Sequence, residues 1–153
     1  MNTFRVSRSG TIAAPPARVY AVIADYRQHH PQIVPPEYFR GLEVVAGGVG
    51  AGTRTRFEMR VLGTTRKFEH VITEPEPGRV LVEADEDGSN ATTFVVEAGE
   101  RSGSTRLTIT TELVARPGVA GMLERAFSSL VLPRIYRKEI ARLADYVARL
   151  PAT

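Results

Sequence analysis

The C-terminal stretch at residues 117–150 constrains the fold of this chain more than any other feature. Apolar side chains recur along it at helical spacing, so it predicts one long amphipathic helix. Most residues before it alternate between apolar and polar side chains, which is the period of β-strands. A long helix and a sheet bury their apolar faces by packing together. We therefore expect an α+β fold in which a sheet lies against this helix.

Seven strands and two short helices are predicted ahead of the long helix. The first strand covers Thr3–Ile12, and a helix follows at about Pro16–Ala24, because prolines are tolerated in a first helical turn. A second short helical turn is expected before Pro31, and Pro35 and Pro36 make the next segment irregular. Six further strands separated by turns form a meander. They cover residues 41–46, 53–61, 65–73, 80–84, 92–97 and 105–114. This order predicts a seven-stranded curved antiparallel sheet wrapped around the C-terminal helix.

Length and composition predict one domain over residues 1–153, with an ordinary globular core. The absence of cysteine excludes a disulfide framework and thiol catalysis, and it is typical of a cytoplasmic protein. No apolar run is long enough to cross a bilayer, so no integral membrane segment is expected. Pro15, Pro16 and Arg18 interrupt the apolar core that a signal peptide would need.

Nucleic acids and nucleotides are not expected as partners. The formal net charge is +3, and the arginines are dispersed rather than clustered, which is typical of solvated faces. The glycine string at residues 47–52 lacks the Lys-Ser/Thr of a phosphate loop, and no helix follows it. It predicts a hairpin turn.

The inward face of the predicted sheet is apolar and rich in aromatic residues. Seven curved strands covered by one long helix leave more concave surface than these side chains fill, which predicts a cavity. Aromatic and methionine walls suit a flat or flexible apolar ligand. The residues expected to bind that ligand are His30, Ile33, Phe57, Met59, Phe68, His70, Phe94, Ile109, Met122, Phe127 and Leu130.

His70 shares the apolar side of its strand with Phe68 and Ile72. It is either a core histidine satisfied by hydrogen bonds or an acid/base group in the cavity. We favour the core interpretation, because no carboxylate shares an obvious position with it. Convergence of His70 with Tyr136 or Tyr26 inside the cavity would favour catalysis, so these three are the weak catalytic candidates.

His29 and His30 are adjacent, which invites a metal-site interpretation. Neighbouring residues rarely converge on one ion without further ligands, so no metal site is expected. Contact with the rim of the cavity is expected for His30, and solvent exposure for His29.

Several segments together resemble a known family. They are IAAPPARVYAVIADY at residues 12–26, GVGAGT at 48–53, STRLTITTEL at 104–113, and the C-terminal helix. In this order they resemble the SRPBCC superfamily of START and birch-pollen-allergen-like helix-grip domains, and within it the bacterial polyketide cyclase/dehydrase-type branch. The resemblance implies a deep cavity between sheet and helix for hydrophobic or amphipathic ligands. It does not imply one activity, because such proteins include cyclases, dehydratases, and lipid and quinone carriers.

We expect a binding protein for a small hydrophobic or amphipathic ligand such as a lipid, a quinone or a polyketide-like molecule. No cofactor is expected, and the chain is expected to be a monomer or a weak homodimer. A polyketide cyclase or dehydratase using the same cavity is the alternative. A protein-interaction module of the toxin or cochaperone type is a second alternative, and it would show an exposed apolar patch instead of a cavity.

The apolar residues of the long helix form two stripes, rotated from each other by roughly 100°. Pro133 removes a helical hydrogen bond, so a bend near Ser129 could turn both stripes towards the sheet. We expect the second half to pack as core and the first half, with Met122, Phe127 and Leu130, to form a looser lid. The second-half stripe contains Leu132, Tyr136, Ile140, Leu143, Val147 and Leu150. The first-half stripe contains Val119, Met122, Leu123, Ala126, Phe127 and Leu130.

Overall fold

A computed structural model describes residues 2–151, which form seven strands and three helices. The strands are β1 (Thr3–Ile12), β2 (Phe39–Ala46), β3 (Arg54–Val61), β4 (Thr64–Glu76), β5 (Val80–Asp85), β6 (Asn90–Ala98) and β7 (Thr105–Val114). The helices are α1 (Pro16–Ala24), α2 (His30–Ile33) and α3 (Gly118–Arg149). The predicted element order is confirmed.

All seven strands belong to one antiparallel sheet with the order β1-β7-β6-β5-β4-β3-β2. Strands β2 to β7 follow each other as a meander, and β1 joins it by pairing with β7 from Thr3↔Val114 to Ile12↔Thr105. The curved sheet, the long C-terminal helix and the two short helices after β1 match the expected helix-grip fold. Strands β1 and β2 therefore lie at opposite edges of the sheet, and α1 and α2 connect them.

The second half of α3 packs on the sheet as predicted. Its buried side chains are Ile135, Tyr136, Glu139, Ile140, Leu143 and Val147. The helix lies against the sheet at Gly10 in β1, where a Cβ atom would lie 2.7 Å from Cγ2 of Ile140. Glycine at this position lets the helix and the edge strand approach each other closely.

The first half of α3 differs from the prediction. Its apolar stripe was expected to face the sheet after a bend, but Val119, Met122, Leu123 and Leu130 are exposed. The helix also continues through Pro133 without interruption. The first stripe is therefore not turned towards the sheet, and it faces solvent.

The second short helix also begins later than predicted. It starts at His30 and contains Pro31 in its first turn, where a proline lacking an N–H group is tolerated. No helix in residues 2–151 is both long enough and apolar enough to span a membrane.

Candidate ligand-binding site

A cavity of about 900 Å³ lies between the concave face of the sheet and α3. Such a volume accommodates a drug-sized organic molecule. Its apolar wall is largely aromatic: Phe57 stacks on Phe68 at 5.4 Å between ring centroids, and Phe39 lies 5.7 Å from Phe57. Other apolar lining residues are Phe4, Met59, Val61, Phe94, Val131 and Leu132.

Glu83 is the centre of a polar cluster at one end of this cavity. The Tyr26 hydroxyl donates a hydrogen bond to Glu83 Oε1 at 2.6 Å. His30 Nε2 lies 3.3 Å from the same oxygen, and His70 Nδ1 lies 3.9 Å from Glu83 Oε2. Tyr26, His30, His70 and Glu83 all line the cavity. One carboxylate of β5 thus joins three groups that come from two other segments, the α1–α2 region and β4.

His30 is fixed on both sides of its ring. Its Nδ1 donates to the backbone carbonyl of Ile23 at 2.7 Å, because a carbonyl oxygen can only accept. Its Nε2 is therefore the nitrogen that faces Glu83. The ring also stacks on Tyr26, with centroids 4.3 Å apart. The expectation of a rim position is wrong, since His30 is buried within the polar cluster.

His70 lies beside two carboxylates, which corrects the argument that none was near it. The β4–β5 register pairs His70 directly with Asp85, and their side chains meet at 3.4 Å between Nε2 and Oδ1. Ser89 and Asn90 both donate to the other Asp85 oxygen, at 3.0 and 2.8 Å. His70 is therefore held between Asp85 and Glu83 in a position suited to proton transfer.

The backbone explains how this cluster is positioned. In β5, Leu81, Glu83 and Asp85 share one side of the strand, and Leu81 is buried in the core. At the end of α1, the Tyr26 N–H donates to the carbonyl of Gly48 at 2.9 Å. The predicted glycine turn thus fixes the segment that carries Tyr26 and His30.

A second carboxyl group enters the cavity from α3. Glu139 is only 4% exposed and lines the cavity. Burial raises the pKa of Glu139 well above its usual range, and the charge of Glu83 raises it further. Glu139 is therefore expected to be a neutral acid at neutral pH.

The two cavity tyrosines are neutral phenols rather than bases. Burial, reinforced by the charge of Glu83, raises the pKa of Tyr26 well above its usual range. Burial likewise raises the pKa of Tyr136, whose hydroxyl contacts the Thr111 hydroxyl. Both phenols keep their protons at neutral pH. Neither Tyr26 nor Tyr136 can therefore supply a phenolate base under these conditions.

The mouth of the cavity lies between the β3–β4 turn and the first half of α3. Leu62 in the turn and Phe127 in the helix both line the cavity, yet they are 84% and 41% exposed. The Arg116 guanidinium donates to the Glu124 carboxylate at 2.9 Å beside this opening. The cavity therefore has an apolar mouth and a polar inner end.

Most of the predicted ligand-binding side chains line the cavity, but four do not. Ile33 and Ile109 are fully buried in the core, outside the lining. Met122 and Leu130 lie on the outer face of α3 and are 72% and 65% exposed. The seven that border it are His30, Phe57, Met59, Phe68, His70, Phe94 and Phe127, and the catalytic candidates Tyr26 and Tyr136 border it as well.

The adjacent histidines point to different partners. His29 Nδ1 lies 2.7 Å from the Tyr146 hydroxyl, whereas His30 enters the cavity cluster. His29 is also half-buried rather than solvent-exposed as expected. Within residues 2–151, no group of three potential ligands is arranged to hold a metal ion.

Comparison with known families agrees with this architecture. Residues 3–148 match the model of the family described as "Polyketide cyclase / dehydrase and lipid transport". The chain belongs to this family. The resemblance to the SRPBCC superfamily drawn from the sequence is thereby confirmed. No curated protein matches the chain at a significant level.

Solved structures share the fold over nearly the whole chain. The solution structure of the KanY protein is 26% identical, with a TM-score of 0.82, and the match covers 97% of this chain and 99% of that one. The Zhui aromatase/cyclase from Streptomyces sp. R1128 is 18% identical, with a TM-score of 0.75 and coverage of 97% and 95%. A START superfamily protein from Mycobacterium smegmatis is 14% identical, with a TM-score of 0.70 and coverage of 96% and 99%.

Proposed function

We propose that this protein binds a small hydrophobic or amphipathic ligand, of the lipid, quinone or polyketide-like kind, in the cavity between sheet and α3. The observation that carries the proposal is the combination of about 900 Å³ of space with an aromatic wall and one polar end. A core without a ligand role would be close-packed, with few voids larger than a water molecule. Family membership supports the same class of ligand.

The arrangement of polar and apolar groups gives the ligand an orientation. Its apolar body lies against Phe57 and Phe68, and its polar end lies beside Glu83 and Glu139. Entry is through the mouth at Phe127, where the lining is exposed. Burial of apolar surface supplies most of the affinity, and the polar end supplies selectivity.

Native mass spectrometry of the purified protein tests the proposal directly. A retained lipid or quinone mass identifies the ligand class. A protein that carries no ligand and also binds no neutral apolar dye, such as Nile red, contradicts the proposal.

Two adjacent serines of α3 provide a matched pair of variants for dye binding. Ser128 lines the cavity, whereas Ser129 is exposed and lies outside the lining. Ser128→Trp places a bulky ring at the mouth and should weaken dye binding at least tenfold, an effect of about 1.4 kcal/mol. Ser129→Trp should leave the affinity unchanged. Equal affinities of the two variants would show that the dye binds elsewhere.

A cyclase or dehydratase activity is the second candidate, and the polar cluster is the observation that favours it. Such reactions need one group to remove a proton from carbon and another to protonate a departing oxygen. His70 between Asp85 and Glu83 suits the first role, and the neutral Glu139 suits the second. Turnover of an aromatisable poly-β-ketone, lost in His70→Ala while ligand affinity is retained, would identify an enzyme. If His70→Ala changed neither turnover nor affinity, the proposed role of His70 in the cavity would be wrong.

A protein-interaction module was expected to have an exposed apolar patch and no cavity, and only the first of these features is present. The exposed stripe on the first half of α3, from Val119 to Leu130, is the apolar patch expected of such a module. The cavity is present beside it rather than absent. Ligand binding is therefore the better-supported function.

A further inference from the structure

Glu139 brings a polar group to the inner end of the cavity without a protein partner. Its neighbours on α3, Ile135, Tyr136 and Ile140, are buried against the sheet or in the core, which fixes the helix face on which Glu139 lies. In the part of the chain that the structure describes, no group donates or accepts a hydrogen bond to its carboxyl. A ligand that fills the cavity without pairing to this carboxyl would leave it buried and unpaired, which is unfavourable. A ligand atom that paired with it would avoid this cost.

The surrounding groups decide which protonation state Glu139 presents. Across the cavity, Glu83 carries the negative charge that acts on it, whereas Asp85 of the same strand lies against His70. His30 and His70 are each held against these carboxylates rather than against Glu139.

Within residues 2–151 no cation is found to act on Glu139, because the lining arginines Arg66 and Arg116 lie against the Phe68 ring and the Glu124 carboxylate. Tyr26 and Tyr136 keep their protons, and each already contacts a protein oxygen. Arg142, one turn further along α3, donates to the Gln32 carbonyl at 3.0 Å. Strands β1 and β7 contribute Phe4 and Thr111 to the lining and no charged side chain. Glu139 therefore faces the cavity as an uncharged donor.

We infer that Glu139 donates a hydrogen bond from its neutral carboxyl to an uncharged acceptor oxygen of the ligand, such as a ketone, quinone or ester carbonyl. The inference rests on the proposed binding function and names the chemistry of the ligand's inner end. An anionic head group is disfavoured there, because the carboxylate of Glu83 that acts on Glu139 also repels it. The acidic end thus selects neutral oxygen-bearing ligands over free acids.

Two flat probes of nearly equal shape isolate this hydrogen bond. 2-Acetylnaphthalene carries a carbonyl oxygen, and 2-isopropenylnaphthalene has a CH₂ group in its place. Isothermal titration calorimetry gives the ratio of their affinities for each protein, so the apolar contribution common to both probes cancels. Circular dichroism confirms that each variant is folded.

Three substitutions of Glu139 test the hydrogen bond, two by removing the donor and one by keeping it. Glu139→Met keeps the length of the side chain but removes the donor, so the ketone preference should fall roughly three- to tenfold, the value of one hydrogen bond. Glu139→Ala should show the same loss and serves if the methionine variant does not fold. Glu139→Gln keeps an N–H donor and should hold the ratio within about twofold.

The failure of this inference is distinguishable from failure of the proposed function. If wild type binds both probes and Glu139→Met and Glu139→Ala leave the ratio unchanged, the role of Glu139 is wrong while the binding function stands. If wild type binds neither probe, the binding function itself is wrong. A matched acid, 2-naphthoate, that bound more tightly than the ketone would also overturn the selection of neutral ligands.

Discussion

Replacing Glu139 by glutamine should change how the stability of this protein depends on pH. Burial and the charge of Glu83 raise the pKa of Glu139 in the folded state, whereas in the unfolded chain it titrates as a free glutamate, at about 4.3. Between these two values the folded state binds one more proton than the unfolded state. Stability from this group is therefore fully present at low pH and is lost as the pH rises towards the folded-state pKa.

The size of the effect follows from that single proton. The free energy of unfolding falls by about 1.4 kcal/mol per pH unit wherever Glu139 is protonated in the folded state and ionised in the unfolded state. From pH 5 up to the folded-state pKa, the wild type should lose stability relative to Glu139→Gln at this slope. Other titrating groups are common to both proteins, so the difference isolates Glu139.

Urea unfolding followed by circular dichroism at pH 5, 6 and 7 measures this difference. Asp145→Asn is the matched control, because Asp145 is an exposed acid on the same helix. Its difference from wild type should stay flat over this range, because an exposed side chain keeps much the same surroundings on folding. If the Glu139→Gln difference were equally flat, Glu139 would be ionised in the folded protein and the description of the inner end would be wrong.

Four further substitutions test the packing described above. Gly10→Ala should destabilise the protein by about 1–3 kcal/mol in urea unfolding, because the added methyl group meets Ile140 at 2.7 Å. Leu143→Ala should lower the free energy of unfolding by about 2–5 kcal/mol, whereas Met122→Ala should change it by no more than about 0.5 kcal/mol. Equal changes would contradict the division of α3 into a packed and an exposed half. Tyr26→Phe should lower the thermal midpoint, because it removes a hydrogen bond to a buried carboxylate worth about 1.5–3 kcal/mol, and an unchanged midpoint would contradict that bond's importance.

The fold was predictable because hydrophobic period and turn residues agree along most of the chain. Strands β1 and β7 have the predicted bounds, Thr3–Ile12 and Thr105–Val114, since alternation and flanking turns mark both ends. Helix α1 also has its predicted bounds, with prolines placed before and within its first turn. Where these signals coincide, local preference and tertiary packing favour the same structure.

The carboxylates at the polar end of the cavity were not predicted, because a pattern of apolar residues treats such side chains as solvent-facing. Glu139 follows Tyr136 by three residues and precedes Leu143 by four, which places it on the buried face of α3. Glu83 and Asp85 similarly share a strand face with the buried Leu81. Each of these carboxylates lies at a position where the spacing predicts a buried residue. The spacing does not identify which side chains from other elements surround it.

The misplacement of Met122 and Leu130 has a different physical cause. Their stripe is as apolar as a core face, so the sequence favours burial. The second half of α3 is fixed by its contact with β1 at Gly10, and the helix is continuous through Pro133, so the rotation of the first half is already determined. Only Phe127, at the edge of that stripe, reaches the cavity. Apolar composition predicted contact with the sheet, but helix geometry decided which side chains make it.

One continuous helix therefore gives the cavity two ends with opposite chemistry. Glu139 lies on its packed half, where burial keeps a carboxyl neutral and in a fixed position. Phe127 lies on its less-packed half, where exposed apolar side chains surround the mouth. An amphipathic ligand that enters through the mouth can satisfy the buried acid only if its acceptor oxygen goes in first. Hydrocarbon-first insertion would leave Glu139 unsatisfied, so orientation and selectivity follow from the same carboxyl group.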